Sequence, residues 1–325
     1  MLVLSEKEVQ SLAKVEELIP VLERAHIQYS TGKAVMPVRL VVPLPQIEGR
    51  ITSMPGYLSE DKALGMKVVT FFPNNLKQNL PQILATVMLF SAETGKMIAA
   101  MDGNYITAIR TACVSAMATK ALANPQSYVL GVLGAGVQAR AHIRALTQIR
   151  KISEIKIYDI FDASARQLRE ALEKEIGVKI DVVQSAREAV LDADLLVTVT
   201  TAKEPIVKAD WLKPGMHINA VGSHRPDLRE IDGATLASAK IVVDSREAIM
   251  AECGDILLAI QEKAITADSV HAEIGEVLAG KKPGRTSSDE ITLYKAVGIA
   301  IQDVATAHLV YRKALERNVG TDIEV

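Results

Sequence analysis

A chain of 325 residues is long enough to form about two domains and to bury a substantial hydrophobic core. Apolar residues make up 49% of the chain and charged residues 23%, proportions typical of a soluble globular protein. The formal net charge of −2 gives no electrostatic reason to expect binding to nucleic acid or to a membrane surface.

The two cysteines, Cys113 and Cys253, lack the spacing of a disulfide framework or a zinc site, so we expect neither a disulfide nor a metal. The first residues have no basic segment followed by a long apolar run, and no apolar stretch reaches membrane-spanning length. These features predict a cytoplasmic protein.

The N-terminal third predicts two helices followed by a set of short strands. Ser5 and Glu8 have the spacing of a capping box at the start of a helix, and residues 15–31 have the pattern of a longer amphipathic helix. From Met36 onward β-prone runs alternate with Pro, Gly and Asn. The predicted strands are residues 38–42, 50–54, 63–71, 83–91 and 97–101. We expect them to pair antiparallel in an α+β domain.

A helix rich in small residues follows, from about residue 102 to residue 123, and Pro125 ends it. We place a domain boundary there. The first domain then comprises residues 1–123 and is joined by the C-terminal helix at about 300–325, and residues 124–299 form the second domain.

The segment Tyr128-Val-Leu-Gly-Val-Leu-Gly-Ala-Gly-Val-Gln-Ala139 has the form strand, glycine loop, helix. Gly134 and Gly136 with Ala139 match the G-x-G-x-x-A pattern that binds a dinucleotide pyrophosphate at a helix N-terminus. Val137 and Gln138 lie in the first helical turn and are predicted to contact the cofactor. The alternative is an ordinary glycine turn.

The residues after this helix favour the dinucleotide site. A second β-prone run, residues 155–158, ends at Asp159, where a carboxylate accepts hydrogen bonds from the adenosine ribose. This carboxylate would repel a 2′-phosphate, so NAD(H) is predicted over NADP(H). Asp159 also suits a simple turn cap, and Arg166 is the nearby cation that would weaken the preference.

Strands and helices continue to alternate as far as residue 244, which predicts a Rossmann-type, doubly wound parallel sheet. Ligands bind such sheets at the carboxyl ends of the strands. The candidates at these ends are Thr198, Thr200, Val221, Gly222 and His224. A final helix, at about 296–317, is predicted to pack on the first domain.

Three cations of the first domain are candidates for a substrate site. Lys67 lies inside an apolar strand, Arg39 lies near the start of the predicted strand 38–42 and Arg110 lies in the small-residue helix. A lysine in such a strand needs a partner or a cleft, unless its ammonium extends to water at the strand edge. Both arginines are equally compatible with solvated ion pairs, so pattern alone leaves these alternatives open.

Four stretches of the chain together resemble the ornithine cyclodeaminase/mu-crystallin family. They are residues 100–119, 134–138, 217–222 and 272–276, and residues 224–230 are most similar to the mu-crystallin, ketimine-reductase branch. The resemblance covers essentially the whole chain. It implies a homodimer whose first domain binds substrate and forms the dimer contact, while its second domain binds the dinucleotide.

The resemblance also implies roles for individual residues. Lys67 corresponds to the active-site lysine, Arg39 and Arg110 to residues that hold the substrate carboxylate, and Thr111 to a contact with cofactor phosphate. Glu252 corresponds to an acid near the substrate. His224 stands where cyclodeaminases carry a catalytic aspartate, and Asp159 stands where mammalian mu-crystallins, which favour NADPH, carry an arginine.

These expectations together predict an NAD(H)-dependent oxidoreductase that acts on the C–N bond of imino or amino acids. We expect it to reduce cyclic ketimines such as Δ1-pyrroline-2-carboxylate or Δ1-piperideine-2-carboxylate to L-proline or L-pipecolate. The alternatives are ornithine cyclodeaminase, alanine dehydrogenase and a non-catalytic small-ligand-binding protein like the mu-crystallins.

Overall fold

Residues 1–324 are described by a computed structural model, in which the chain divides into two units. Unit 1 contains residues 1–111 together with the C-terminal segment from Ile299 onward. Unit 2 contains residues 112–298. Within the described residues, no helix combines the length and the apolar character that crossing a bilayer requires.

Unit 1 is built on a mixed sheet whose central strands alternate buried and less buried side chains. Within the described part of the chain its strands are β1 (Leu2–Leu4), β2 (Ala34–Val35), β3 (Leu40–Leu44), β4 (Gly49–Leu58), β5 (Ala63–Phe71), β6 (Ile83–Ser91), β7 (Met97–Asp102) and β16 (Thr321–Asp322). The strand order is β16-β1-β7-β6-β5-β4-β2, and β3 also pairs with β4. Strands β3 to β7 pair antiparallel, as predicted, whereas β1 is parallel to β7.

Among the described residues, the α-helices that lie entirely within unit 1 are α1 (Glu6–Leu12), α2 (Val15–Ser30) and α11 (Ala300–Arg317). The predicted capping box opens α1, because Glu8 accepts hydrogen bonds from both the backbone N–H and the hydroxyl of Ser5 at 2.7 Å. Helix α11 packs against α2 and against strands β4, β5 and β6. The predicted return of the C-terminal helix to the first domain is therefore confirmed, although residues 292–295 form a strand and the helix begins at Ala300.

Helix α3 (Gly103–Leu122) spans the division between the two units. The units divide between Thr111 and Ala112, inside this helix, whereas the sequence placed the boundary at residue 123. Its second half is bonded to unit 2, since the hydroxyl of Ser115 lies 2.9 Å from His142 and Asn219 donates to Thr119 at 2.9 Å. A helix break in the sequence therefore does not coincide with the division between the units.

Unit 2 contains a sheet in which every pair of neighbouring strands is parallel. In the described residues its strands are β8 (Val129–Leu133), β9 (Glu154–Tyr158), β10 (Lys179–Val182), β11 (Leu195–Thr198), β12 (His217–Ala220), β13 (Lys240–Val243), β14 (Val270–Glu273) and β15 (Thr292–Lys295). They lie in the order β10-β9-β8-β11-β12-β15-β13-β14. The chain reverses direction across the sheet between β8 and β11, the switch point at which such sheets bind ligands.

The helices of unit 2 connect these parallel strands. They are α4 (Val137–Ile149), α5 (Asp162–Ile176), α6 (Ala186–Val190), α7 (Gly233–Ser238), α8 (Arg246–Glu252), α9 (Gly254–Gln261) and α10 (Ile274–Leu278). Ser185 caps α6 by accepting a hydrogen bond from the backbone N–H of Glu188. The predicted fold class, a doubly wound parallel sheet plus an α+β domain with antiparallel strands, is confirmed.

Candidate active site

The glycine loop between β8 and α4 has the backbone that the fingerprint requires. Gly134 has a φ of +101°, in the left-handed region that favours glycine, and a Cβ atom there would lie 2.8 Å from the carbonyl oxygen of Val199. Its N–H donates to the carbonyl of Tyr158 at 2.8 Å, which joins the loop to the end of β9. The loop is therefore held close to both neighbouring strands of the switch point.

The N-terminus of α4 is open toward a ligand. Gly136 is its N-cap, no side chain among the described residues caps the helix, and a Cβ atom on Gly136 would meet nothing within 4 Å. Val137 is exposed, and the buried side-chain oxygen of Gln138 has no hydrogen-bond partner within residues 1–324. Exposed N–H groups at a helix start, with space in front of them, fit a pyrophosphate.

Asp159 lies beside this loop at the end of β9. One carboxylate oxygen accepts a hydrogen bond from the N–H of Ala135 at 2.7 Å, and the other accepts one from the N–H of Phe161 at 2.8 Å. Each oxygen keeps acceptor capacity for a ribose hydroxyl, so the carboxylate fits NAD(H). Arg166 pairs with Asp162 on the exposed face of α5.

The candidates at the ends of β11 and β12 converge on a residue that the sequence reasoning missed, Glu230. One of its carboxylate oxygens accepts from the N–H and the hydroxyl of Thr200, at 2.6 and 2.8 Å. The other accepts from the hydroxyl of Thr198 at 2.7 Å and from the N–H of Gly222 at 2.8 Å. Val221 belongs to the same strand end, where its N–H donates to the carbonyl of Thr198 at 2.9 Å.

His224 and Glu252 belong to neighbouring parts of unit 2. The imidazole Nδ1 of His224 lies 2.8 Å from the carbonyl oxygen of Gly222, so Nδ1 carries a hydrogen and donates it. Glu252 is the last residue of α8 and is partly buried. The proposed contact of each with substrate stays a prediction.

Lys67 lies on the buried face of β5, together with Ala63 and Gly65. A Cβ atom on Gly65 would lie 3.3 Å from the side chain of Val304, so this face of β5 packs directly on α11. The ammonium of Lys67 therefore meets Asp303, the residue before Val304, with Nζ 2.8 Å from the carboxylate. Lys67 is 2% exposed and Asp303 is 0% exposed, which rules out the alternative of an ammonium that extends to water.

Arg110 completes this cluster from α3. Its Nε lies 3.0 Å from the second carboxylate oxygen of Asp303, and its Nη1 donates to the side-chain oxygen of Gln302. The amide nitrogen of Gln302 lies 3.2 Å from the Nε2 atom of His26, which accepts the bond. Burial, and then the charge of Arg110, lower the pKa of His26 to about 3, so this imidazole is neutral near pH 7.

The surroundings lower the pKa of Lys67 to about 7. Burial is the largest cause, and the positive charges of Arg110 and Arg39 act in the same direction, while Asp303 raises the pKa. Lys67 therefore exists as a mixture of ammonium and amine near pH 7, which suits a group that transfers a proton. The structure brings Lys67, Arg39 and Arg110 into one electrostatic group, as predicted, but their roles toward substrate stay predictions.

Thr111 is buried in α3, where its hydroxyl donates to the carbonyl of Thr107 at 2.7 Å. Its predicted contact with cofactor phosphate stays a prediction. Asp303 and Gln302 were missed because they lie far from Lys67 in sequence. Asp303 is four residues from both Ile299 and Ala307, two apolar positions of α11, so it lies on their buried face.

A profile of the ornithine cyclodeaminase/mu-crystallin family matches residues 1–318. The chain belongs to this family.

Three relatives within or beside the family are informative. The structure of Thermococcus litoralis Δ1-pyrroline-2-carboxylate reductase with NADH and L-proline is 43% identical, with a TM-score of 0.96 over 99% of this chain and 100% of that one. An archaeal alanine dehydrogenase dimer with bound NAD is 39% identical, with a TM-score of 0.93 over 100% and 99% of the two chains. Ketimine reductase mu-crystallin of Mus musculus is 41% identical over 312 residues, which are 95% of this chain and 96% of that protein.

Proposed function

We propose that the chain is an NAD(H)-dependent oxidoreductase that reduces cyclic ketimines, Δ1-pyrroline-2-carboxylate or Δ1-piperideine-2-carboxylate, to L-proline or L-pipecolate. The observation that carries this proposal is the buried cluster of Lys67, Asp303 and Arg110 in unit 1. It combines a cation for a carboxylate with a lysine poised to donate a proton. The Thermococcus litoralis relative, which binds NADH and L-proline, supports this choice of substrate.

Arg110 is the residue to which we assign the substrate carboxylate. Asp303 holds its Nε and Gln302 accepts from its Nη1, so two of the guanidinium nitrogens are fixed within the protein. The remaining nitrogen, Nη2, would then donate to the substrate from a fixed orientation. Arg39, whose charge already acts on Lys67, would add a second cation to this carboxylate site.

Lys67 is the group to which we assign proton transfer. The bound cofactor supplies a hydride to the imine carbon, and the imine nitrogen must gain a proton as the C=N bond becomes a C–N bond. The Lys67 ammonium would donate this proton and become an amine, a change that its lowered pKa favours. Asp303 keeps the ammonium populated before the reaction, since it is the charge that raises this pKa.

The residues of unit 2 fit NAD(H) as the cofactor. The N-terminus of α4 beyond Gly136 would bind the pyrophosphate, and Gln138 offers a buried oxygen in the same turn. Asp159 would accept hydrogen bonds from the ribose and disfavour a 2′-phosphate. His224 and Glu252 would lie near the substrate, as the family resemblance implies.

Alanine dehydrogenase is the second candidate, because a relative with this activity is 39% identical over the whole chain. The same cations would bind pyruvate, and Lys67 would protonate its imine. Oxidation of NADH at 340 nm should be measured with both cyclic ketimines and with pyruvate plus ammonia. We expect the ketimines to give the larger kcat/KM. A larger kcat/KM for pyruvate plus ammonia would reassign the substrate. If none of these substrates led to NADH oxidation, the proposal would be contradicted.

Two further properties belong to this proposal. Strands β3, β4 and β6 expose apolar side chains that suit a homodimer contact, and the archaeal alanine dehydrogenase relative is a dimer. These side chains are Leu40, Val41, Val42, Ile51, Ile83 and Leu84. Light scattering should give a molar mass twice that of the chain, and Val41→Glu should lower this measured mass. A monomeric mass for the unmodified protein would contradict the homodimer assignment. The cytoplasmic location stays a prediction.

A further inference from the structure

The carboxyl edge of the unit 2 sheet contains a buried network of charges. Glu230 bridges the ends of β11 and β12 through its bonds to Thr198, Thr200 and Gly222. Asp244 bridges the neighbouring pair of strands in the same way. It follows β13, and one of its oxygens accepts from the N–H groups of residues 297 and 298, just beyond β15, at 3.0 and 2.7 Å.

The contact between Glu230 and Gly222 is too close to tolerate a side chain. A Cβ atom on Gly222 would lie 2.4 Å from the Glu230 carboxylate and 2.2 Å from the carbonyl oxygen of Thr200. Glycine is required here because the carboxylate lies directly against the backbone of the strand end. Glu230 therefore fixes the backbone at the edge of the crevice where a dinucleotide binds in this type of sheet.

The donors around Glu230 indicate that it is ionised. Each of its oxygens accepts two hydrogen bonds, and two of the four donors are backbone N–H groups that cannot reverse their role. Burial raises the pKa of Glu230 above its ordinary value and the charge of Asp255 acts in the same direction, whereas the charge of Lys295 and the donors of Thr200 and Thr198 lower it. An anion with four donors retains all of these bonds, so the hydrogen bonding favours the charged form.

The network carries a surplus of negative charge. One carboxylate oxygen of Asp255 accepts hydrogen bonds from the N–H groups of Glu230, at 2.7 Å, and Ile231, at 2.9 Å. The other oxygen lies 2.9 Å from the Nζ atom of Lys295. The carboxylates of Asp255 and Glu230 thus both act on the single ammonium of Lys295. The nearby cation Arg229 pairs with Glu262 and also acts on Asp255, so the two cations Lys295 and Arg229 stand against the three carboxylates of Asp255, Glu230 and Glu262.

We propose that Glu230 is a positioning residue whose buried negative charge makes unit 2 prefer the oxidised dinucleotide to the reduced one. The inference rests on the proposed use of NAD(H). Oxidation turns the neutral dihydronicotinamide ring into a cation, and an anion at the crevice edge stabilises that cation. At the effective dielectric constant of a protein site, a unit negative charge up to about 10 Å from a bound cation changes the affinity for that cation by about tenfold or more.

The test compares the affinities of NAD⁺ and NADH without substrate, by isothermal titration calorimetry. Glu230→Gln keeps the size of the side chain but removes its charge, so we expect the affinity for NAD⁺ relative to NADH to fall about tenfold. Glu175→Gln is the matched control. It also removes one negative charge from unit 2, but that carboxylate pairs with Arg144 at the exposed surface, so the ratio of the two affinities should stay unchanged. An unchanged ratio in Glu230→Gln would overturn the inference.

A second comparison uses the unmodified protein and does not depend on the folding of a variant. The benzamide analogue of NAD⁺ replaces the cationic pyridinium ring by a neutral ring of the same shape. We expect NAD⁺ to bind about tenfold more tightly than this analogue. Equal affinities would overturn the role of Glu230 while leaving the dinucleotide site intact. If neither NAD⁺ nor NADH bound, the proposed function would fail and this inference with it.

Discussion

Asp303→Asn tests the assignment of Lys67 as the proton donor. The substitution keeps the size of the side chain and removes the charge that lies 2.8 Å from the ammonium. Loss of an adjacent opposite charge shifts a pKa by about 1–3 units, so the pKa of Lys67 should fall from about 7 to roughly 4–6. The fraction of ammonium at pH 7 then decreases by about fivefold to several-hundredfold.

The assay is the pH dependence of kcat/KM for Δ1-pyrroline-2-carboxylate, followed by NADH oxidation. In the unmodified enzyme kcat/KM should fall as pH rises above about 7, because Lys67 loses the proton that it donates. In Asp303→Asn the same fall should occur at a pH lower by about one unit or more. The ionisation of the imine itself is common to both enzymes, so it does not contribute to the difference. A pH profile that does not move would refute the role of Lys67 as the donor controlled by Asp303.

The same residues predict how stability changes with pH. The folded pKa of Lys67, about 7, is lower than that of an unfolded lysine, so between these two values the unfolded chain binds more protons. The free energy of unfolding contributed by this residue therefore rises with pH from about 7 to about 10.4 and is lowest below pH 7. Asp303→Asn should extend this rise to lower pH. Thermal unfolding of both proteins at pH 6 and pH 9 measures this, and Asp303→Asn should lose more stability at pH 6.

Three further substitutions test other parts of the proposal. Asp159→Ser removes the carboxylate beside the glycine loop, so the ratio of kcat/KM for NADH to that for NADPH should fall by about tenfold or more. A higher kcat/KM for NADPH than for NADH in the unmodified enzyme would contradict the cofactor assignment. Arg110→Lys keeps a positive charge near Asp303 but loses the planar set of guanidinium donors, so the KM for the imino acid should rise about tenfold or more. An unchanged KM would show that Arg110 has a structural role. His224→Asp should not improve ketimine reduction; robust release of ammonia from ornithine by the unmodified enzyme, without net change in NADH, would restore the cyclodeaminase assignment.

Local patterns predicted the elements with strong hydrophobic periodicity. Strands β5 and β6 and helix α4 have the bounds expected from the sequence. Each has its own alternation or helical repeat of apolar residues and is bounded by glycine or polar residues. Strands β1, β2 and β16 were not predicted. They contain two or three residues, and β1 and β16 pair residues from opposite ends of the chain, such as Leu2 with Asp322. A pairing of that kind has no local signal.

The candidate site shows the same division between local and long-range information. Lys67 and Arg110 were singled out from the strand and helix that contain them, yet pattern alone left both open to a structural role. Their common partner, Asp303, joins them into one buried cluster from a helix nearly 200 residues away from Arg110, and their roles toward substrate stay predictions. A carboxylate on the buried face of α11 was a usable signal, since charged residues are rarely buried without a partner.

The buried charges of the two units have opposite signs, and each sign matches one reactant of the proposed reaction. In unit 1 the buried cations Lys67 and Arg110 share the single carboxylate of Asp303. The excess positive charge suits a substrate that carries a carboxylate. In unit 2 the anions around Lys295 outnumber it, and the excess negative charge suits the cationic oxidised nicotinamide. Burying an unmatched charge costs several kcal/mol, so we expect a bound reactant of opposite charge to stabilise each cluster.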